Sequence, residues 1–293
     1  MTKIIRISGT RKIIWNKKRF ELEFDKFPNL EMDFISYLDY YYDWNWKNIK
    51  TWEVLPEQDI YRISWGIWTN WFWIRAWLNY YFWKLKWKKI LDPINYNITD
   101  TSKFQQLLFL NHHKYWTPKT LFFQITKEYK SDFIDIAKQN FSFPMIAKDL
   151  YKDRWKGVFL IENEEQLWKK IDEYNHKWLL LQEYIKNEWE FRILIVGNEI
   201  WWIFKRYNPN SYRNNVIKWA VFENKWISKD MEEKMIEITK SYWLDFAGID
   251  LIIANNQYYI LEINSAPQFK RLEEITWENI AYKLLNYLCK PTS

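Results

Sequence analysis

The shortage of glycine constrains the fold of this chain more than any other feature of its sequence. Only 5 of the 293 residues are glycine, while 22 are tryptophan. An average soluble protein contains about 7% glycine. Left-handed turns and helix ends depend on glycine, because it reaches positive φ without a steric cost. Most of these tryptophans, if taken as glycine, would restore an ordinary glycine content.

The tryptophans lie singly where a turn or a helix end is expected. Trp243 follows a helical run at 229–242, and Trp87 separates a helix-like stretch from the strand-like Lys89–Leu91. Similar positions are Trp15, Trp65, Trp68, Trp71, Trp73, Trp77 and Trp226. We hypothesise that most of them are glycines encoded by UGA, a codon that some bacteria read as glycine. The many Lys, Ile, Asn, Tyr and Phe residues suit the AT-rich genome in which such reassignment occurs.

The alternative is a genuinely Trp-rich protein whose rings form a stacking surface for sugars or single-stranded nucleic acid. Such a surface predicts tryptophan at a period of about 2 or about 3.6 residues. The tryptophans lack that spacing, which favours the glycine hypothesis.

Length, charge and cysteine content limit the class of protein. The length predicts two or three subdomains. The formal net charge of +6 permits an anionic ligand without requiring one. The single cysteine, Cys289, excludes an internal disulfide framework. The N-terminus lacks a signal-peptide core, and no apolar run is long enough to cross a membrane. We therefore expect a cytoplasmic protein with no membrane or nucleic-acid partner.

Strand and helix patterns divide the chain near residue 97. Residues 1–97 mix short strands with a helical stretch near 72–86, and Asp92-Pro93 closes this α/β segment. Its predicted strands are Lys3–Ile7, Glu53–Leu55 and Ile60–Ile63. The remaining residues predict helices near 99–113, 129–140, 163–175, 229–242 and 278–288, and strands at 120–124, 144–148, 157–161, 179–184, 190–196, 199–206 and in a hairpin at 248–264. Asn163, followed by two glutamates, is a predicted helix N-cap.

A lysine and a loop predict a phosphate-binding element. Lys148 ends a strand just before a loop that contains Arg154, Trp155, Lys156 and Gly157. A strand-borne ammonium facing a glycine-rich hairpin can hold nucleotide phosphates, because the cation offsets their charge and bare N–H groups approach the oxygens. Glycine at position 155 would complete such a loop, whereas an indole would crowd it. Taken alone, a lysine at a strand end is more often a surface residue.

A second strand ends on two polar residues, Gln182 and Glu183. Buried strands rarely end in this way without partners for the polar groups, and a purine with its exocyclic amine would be one. A strand end that reaches water explains the same residues equally well.

Three oxygen donors lie on a predicted hairpin. Glu262 and Asn264 share one face of their strand, and Asp250 joins them from the neighbouring strand. Such donors in otherwise apolar strands favour a magnesium site over a solvated face. Further polar groups on or after the long strands suit ribose, phosphate or a carboxylate: Glu190, Arg192, Arg206, Arg213, Asn214 and Asn215.

The ordered set of motifs resembles the ATP-grasp superfamily, and most closely its RimK-like branch of glutamate ligases. The motifs are PMIAK, DRWKGV, LLLQEYI, EFRILIVGNEI, YRNN, AGIDLI, LEIN and ITWENIA. The resemblance covers residues 98–290, and it extends to 1–97 only in architecture. The family tends to have glycine where this chain has Trp155, Trp243 and Trp277.

The resemblance implies a mixed α/β and α+β fold, the ATP-grasp fold, in which two α+β lobes clasp ATP behind an α/β pre-ATP-grasp domain. That domain would cover residues 1–97, the first lobe 98–185 and the second lobe 186–293. Implied cofactors are ATP and Mg²⁺, with Mn²⁺ as an alternative ion.

Site residues follow from the resemblance where the motifs match. For the nucleotide, it assigns Lys103 and Lys148 to the ATP phosphates, Glu183 and the Tyr184 backbone to adenine, Glu190 to ribose, and places Asn214 and Asn215 beside the nucleotide. It assigns Arg192, Arg206 and Arg213 to phosphate or substrate. Magnesium would be bound by Asp250, Glu262 and Asn264. Arg154, Lys156 and Gly157 complete the predicted phosphate loop.

The implied reaction is ATP-dependent ligation. A carboxylate attacks the γ-phosphate to form an acyl phosphate, and an amine or thiol then displaces phosphate. One expected partner is a carboxylate substrate, such as glutamate or another amino acid. The second is an amine acceptor, which is an amino acid, a peptide or a protein. A second copy of the chain is the third. One alternative is a ligase of a small metabolite or modified peptide. If the tryptophans are genuine, the other is an inactive aromatic-rich binding protein.

Overall fold

The computed structural model describes residues 2–8, 16–36, 39–42, 45–55, 58–63, 78, 80, 89–91, 103–150, 157–186, 190–207, 221–224, 227–265, 267 and 269–289. The strands are β1 (Thr2–Ser8), β2 (Leu30–Ser36), β3 (Tyr40–Tyr42), β4 (Trp46–Asn48), β5 (Ile60–Ile63), β6 (Lys89–Leu91), β7 (Thr120–Gln124), β8 (Met145–Asp149), β9 (Val158–Ile161), β10 (Trp178–Glu183), β11 (Glu190–Val196), β12 (Glu199–Tyr207), β13 (Val221–Asn224), β14 (Phe246–Ala254) and β15 (Gln257–Asn264). The helices are α1 (Asn16–Glu21), α2 (Lys103–His112), α3 (Lys130–Asn140), α4 (Glu164–Glu173), α5 (Lys229–Ser241), α6 (Lys270–Thr276) and α7 (Ile280–Cys289).

The N-terminal segment forms a four-stranded parallel sheet in the order β2-β1-β5-β6. The α/β character predicted for this segment is confirmed, as are the strands at 3–7 and 60–63. The strand predicted at Glu53–Leu55 is wrong, because only an isolated bridge joins Val54 to Lys47 there. The predicted helix near 72–86 lies almost entirely outside the described residues.

The next unit, lobe A, is an antiparallel sheet in the order β7-β10-β8-β9. Helices α3 and α4 cover one face, where Ile134, Leu167 and Leu181 share a buried core. Asn163 caps α4 as predicted, since its Oδ1 accepts the Gln166 N–H at 2.9 Å. Side chains alternate along a strand, so Lys148 points away from this core.

The last unit, lobe B, is an antiparallel sheet in the order β13-β12-β11-β14-β15. Helix α5 packs on one face through Met235 and Ile238, which contact Ile193 and its neighbours in a buried cluster. Helices α6 and α7 contribute to a second cluster on the opposite face. The helix predicted at 278–288 is confirmed as α7, whereas α6 was not predicted.

The N-terminal segment packs onto lobe B through a shared core. Ile4 and Phe20 lie in one buried cluster with Leu194, Phe246 and Phe269. A polar network borders this core: the Arg19 guanidinium donates to Glu273 at 2.8 and 3.1 Å, to Glu23 at 2.6 Å and to Asn279 at 2.9 Å. Burial would raise the pKa of Glu23, but hydrogen bonds from Lys26, Arg19 and Asn279 lower it to about 2.

We predict that Arg19→Met lowers the free energy of unfolding by about 3 kcal/mol, because two mostly buried carboxylates, Glu23 and Glu273, lose their shared cation. Urea unfolding checks the prediction. Lys130→Met is the control: it removes a cation from the exposed Asp172 and should cost about 1 kcal/mol or less. Equal losses in the two variants would contradict the prediction.

Among the described residues, three tryptophans have a left-handed backbone: Trp52 (φ 61°), Trp243 (φ 58°) and Trp277 (φ 59°). At the end of α5, the Trp243 N–H donates to the Lys240 carbonyl and the Leu244 N–H to the Thr239 carbonyl, both at 2.9 Å. This is the Schellman arrangement, in which glycine usually occupies the left-handed position. The predicted left-handed helix end at Trp243 is therefore confirmed. The sites at 15, 65–77, 87, 155 and 226 lie outside the described residues.

Across the described ranges, no helix is both long enough and apolar enough to cross a membrane.

Candidate active site

Acidic and basic side chains gather on the face of lobe B opposite α5. In the strand register, Arg192 pairs with Asp250, and Asp250 pairs with Glu262. Residues that pair directly across antiparallel strands share a face, and Asn264 shares it two residues beyond Glu262. The predicted oxygen donors therefore lie together, with Arg192 beside them.

A β-bulge makes this grouping possible. The β14–β15 register shifts between Asp250 and Leu251, so that Leu251 pairs with Ile260 while Asp250 pairs with Glu262. Without the extra residue, Leu261 would pair with Asp250 and Glu262 would point to the α5 side. The bulge thus places the Glu262 carboxylate beside that of Asp250.

Arg192 and Asp250 form a bidentate ion pair. The Arg192 Nε donates to Asp250 Oδ1 at 2.6 Å and its Nη2 to Oδ2 at 2.5 Å. Burial alone would lower the pKa of Arg192, but Asp250, Glu190 and Glu262 raise it. On the neighbouring strand, Gly248 allows Pro267 to approach closely, because a Cβ at position 248 would lie 2.9 Å from the Pro267 Cβ.

The lysines of the predicted phosphate site interact electrostatically with this group. The pKa of Lys148 is lowered to about 8, mainly by burial; Glu262 and Glu190 oppose this shift, whereas Lys103 adds to it. Burial and the nearby Asp250 carboxylate raise the pKa of Glu262, whereas the positive charges of Lys103, Arg192 and Lys148 lower it by less. Glu262 is nevertheless open to solvent. The influence of Lys103 and Lys148 on its pKa indicates that Glu262 faces the lysine-bearing side of lobe A, and we call the space between the two lobes the cleft.

The lowered pKa of Lys148 predicts a pH-dependent nucleotide affinity. Only the ammonium form attracts phosphate, so the affinity for ADP should fall about tenfold between pH 7 and pH 9, as the lysine titrates near pH 8. Calorimetric titration at the two pH values measures this. Lys148→Arg should show almost no change, because the guanidinium stays protonated. The same pH dependence in both proteins would contradict the prediction.

The polar end of β10 has partners within the protein. Glu183 Oε1 accepts the Lys119 N–H at 2.6 Å, and the Gln182 amide donates to Thr120 Oγ1 at 2.9 Å. Neighbouring residues therefore provide partners for both side chains, and the sequence argument for a ligand at this strand end stays a prediction. Tyr184 follows Glu183 at the strand end. The assignment of Glu183 and Tyr184 to adenine rests on the family resemblance alone.

The remaining predicted residues divide into two groups. Glu190 is buried on the Arg192 face and pairs in register with Arg206, and Gly157 is buried just before β9. Arg154, Lys156, Arg213, Asn214 and Asn215 lie outside the described residues.

The donor set suits magnesium and a nucleotide. Asp250, Glu262 and Asn264 offer the hard oxygen ligands that Mg²⁺ prefers. Burial and, second to it, the neighbouring Asp250 carboxylate raise the pKa of Glu262, and a bound cation would favour its ionised form. Asp250 is shared with Arg192. In the part of the chain that the structure describes, no group of three His, Cys, Asp or Glu side chains is arranged for a metal, and the predicted site would take its third oxygen from the Asn264 amide.

Sequence reasoning missed one residue of this region, Gln106 of α2. Its amide donates to the Ile263 carbonyl at 3.0 Å and accepts the Ile263 N–H at 3.1 Å. A glutamine on the polar side of a helix gives no signal of such a contact in the sequence.

Comparison with known proteins places this arrangement in a family. The sequence profile of the RimK-like ATP-grasp domain matches residues 100–288. The coenzyme gamma-F420-2:alpha-L-glutamate ligase of Methanocaldococcus jannaschii is 26% identical over 192 residues, which cover 64% of this chain and 65% of that protein. The ribosomal protein bS6--L-glutamate ligase of Escherichia coli is 28% identical over 163 residues, 54% of this chain and 53% of that protein. The matches thus span between half and two thirds of these relatives.

A solved structure extends the likeness to the whole chain. The ATP-grasp ligase PsnB, complexed with minimal precursor, Mg and ADP, has a TM-score of 0.70 at 12% identity, with coverage of 97% of this chain and 96% of that one. This likeness confirms the predicted ATP-grasp fold, including the N-terminal segment.

Proposed function

We propose that this chain, which belongs to the RimK-like ATP-grasp domain family, is an ATP-dependent carboxylate–amine ligase. The observation that supports the proposal is the electrostatic interaction of Lys103 and Lys148 with Glu262, whose pKa is also raised by Asp250. Paired cations and carboxylates of this kind suit a nucleotide held through its phosphates and a divalent ion.

The residues would act by binding and positioning. Lys103 and Lys148 neutralise phosphate charge, and Asp250, Glu262 and Asn264 would hold Mg²⁺. A bound ion would supply electrostatic stabilisation of the negative charge on the transferred phosphoryl group. A substrate carboxylate attacks the γ-phosphorus and displaces ADP; an amine then attacks the acyl phosphate, losing a proton as the amide forms and phosphate leaves. Arg192 lies where it can contact an anionic substrate group.

The proposed carboxylate donor or acceptor is glutamate or another amino acid, in keeping with the names of the two glutamate ligases. A modified peptide is the second candidate acceptor, favoured by the whole-chain likeness to a ligase complexed with its precursor. The cytoplasm, which supplies ATP, is the proposed compartment. The test is ADP formation that requires both a carboxylate and an amine; saturable binding of oligosaccharide or single-stranded nucleic acid without any ADP binding would favour an aromatic binding protein instead.

The proposal includes glycine at most of the tryptophan positions, through UGA codons read as glycine. Its support is the left-handed backbone at Trp52, Trp243 and Trp277, a conformation that costs an L-residue about 1–2 kcal/mol. Trp52 and Trp277 also expose 71% and 92% of their surface, so burial of their rings contributes little stability to offset the cost of the left-handed backbone. Peptide mass spectrometry of the protein from its native host tests this, and tryptophan at 243 and 277 would reject it.

A substitution at Trp277 isolates the backbone effect. We predict that Trp277→Gly raises the free energy of unfolding by about 1 kcal/mol, because glycine relieves the left-handed conformation. Trp277→Ala is the matched control, since it removes the same ring but keeps Cβ. Chemical denaturation of both variants measures the difference, and an equal gain from alanine would contradict the prediction.

A further inference from the structure

Helix α2 contacts both lobes of the cleft. At its start, Phe104 stacks on Phe122 of lobe A with ring centroids 3.9 Å apart. Near its end, Leu110 is buried in the lobe B cluster that contains Met235 and Ile263. One rigid helix therefore connects the sheet that carries Lys148 to the sheet that carries Glu262.

The lobe A contact of α2 is polar as well as aromatic. Lys103 Nζ donates to the Asp149 carbonyl at 3.1 Å, next to Lys148. The Asp149 carboxylate accepts the Tyr174 hydroxyl at 2.8 Å in a buried position, and this bond fixes the strand end that Lys103 reaches.

The lobe B contact is made by Gln106, which lies one turn after Lys103 and therefore on the same side of the helix. Its carboxamide pairs with both the N–H and the carbonyl of Ile263, at 3.1 and 3.0 Å. β15 is the edge strand of its sheet, so Gln106 supplies the pairing that a further strand would give. Ile263 lies between Glu262 and Asn264, and its own side chain is buried.

We propose that Gln106 is a positioning residue that holds the Glu262–Asn264 segment at a fixed distance from the phosphate-binding lysines. The inference rests on the proposed function, because that separation matters only if a metal-bound nucleotide bridges the two groups. The binding of a metal–nucleotide complex by both groups weakens when the binding residues are displaced by as little as a fraction of an ångström to one ångström. Gln106 itself contacts neither nucleotide nor metal in this account.

The test compares metal-dependent with metal-independent nucleotide binding. In the Trp155→Gly background, Gln106→Leu should weaken Mn²⁺ binding in the presence of ADP about tenfold, measured from the electron paramagnetic resonance signal of free Mn²⁺. ADP affinity in EDTA should change less than about twofold, because the lysines remain. The control, Gln166→Leu, removes a glutamine bond to the Glu162 N–H of lobe A and should leave both affinities unchanged.

Gln106→Glu provides a second variant that keeps an acceptor for the Ile263 N–H but places a carboxylate against the Ile263 carbonyl. It should also weaken Mn²⁺ binding. Unchanged Mn²⁺ affinity in either folded variant, with normal binding by the parent, would overturn the positioning role and leave the ligase proposal standing. Absence of ADP and Mn²⁺ binding by the parent protein would overturn both.

Discussion

Lys148→Ala should lower kcat/KM for ATP by about 100-fold to 1000-fold, the loss typical of removing one preorganised electrostatic contact to the reacting group. The ammonium lies in a cleft with Lys103 and two carboxylates, where water screens its charge less than at the surface. The same substitution should leave the protein folded, because Lys148 points away from the lobe A core. ADP release in a coupled assay measures the effect.

Two further variants sharpen this prediction. Glu262→Ala should cause a comparable loss through the proposed metal site. Lys138→Ala, in an exposed position on α3, removes a lysine of the same lobe and should leave turnover within about twofold of the parent. Unchanged turnover in Lys148→Ala would reject the assignment of the phosphate site.

Trp155→Gly should raise the affinity for ADP by about tenfold or more, an energy of about 1.4 kcal/mol or greater. The reason lies in the sequence of the predicted phosphate loop, in which a backbone N–H can approach phosphate oxygens closely only where no large side chain intervenes. Position 155 itself lies outside the described residues. Calorimetric titration of both proteins with ADP measures the change.

Trp178→Gly is the control, because it replaces a tryptophan that packs within a strand and lies outside the predicted phosphate loop. Trp178 lies within β10 and its ring stacks on Phe122 with centroids 4.8 Å apart, so glycine should destabilise the strand without improving nucleotide binding. If Trp155→Gly leaves the ADP affinity unchanged, the indole does not obstruct the loop. That result would remove the main functional argument for glycine at position 155.

Periodic segments with clear end signals could be predicted from the sequence. The α4 helix, with its Asn163 cap, and the β14–β15 hairpin lie where their patterns indicated. The strand predicted at Glu53–Leu55 is wrong because a segment of three residues, two of them apolar, carries almost no periodic signal. β2 was missed for a related reason: its burial follows no strict alternation.

The sequence could predict which residues are candidates for the site, but not how their side chains are arranged. The motif order predicted Lys148, Asp250 and Glu262 as site residues; in the structure Asp250 pairs in register with Glu262, and Lys148 interacts electrostatically with Glu262. The bulge that turns Glu262 towards Asp250 has no sequence signal, because residue alternation alone pairs Asp250 with Leu261. The Arg192–Asp250 pair and the Gln106 contact depend on how neighbouring strands and helices pack, which no local pattern encodes.

The central claim, ligation through an acyl phosphate, is tested most directly by isotope transfer. The Trp155→Gly protein is incubated with ATP, Mg²⁺ and glutamate labelled with ¹⁸O in its carboxylates, in parallel with a mixture of similarly labelled amino acids and with amine acceptors present. Mass spectrometry of the released phosphate gives the result. The account predicts phosphate that carries one ¹⁸O atom from the carboxylate, formed together with ADP. Phosphate without that label, with ADP formed by hydrolysis or not formed at all, would contradict it.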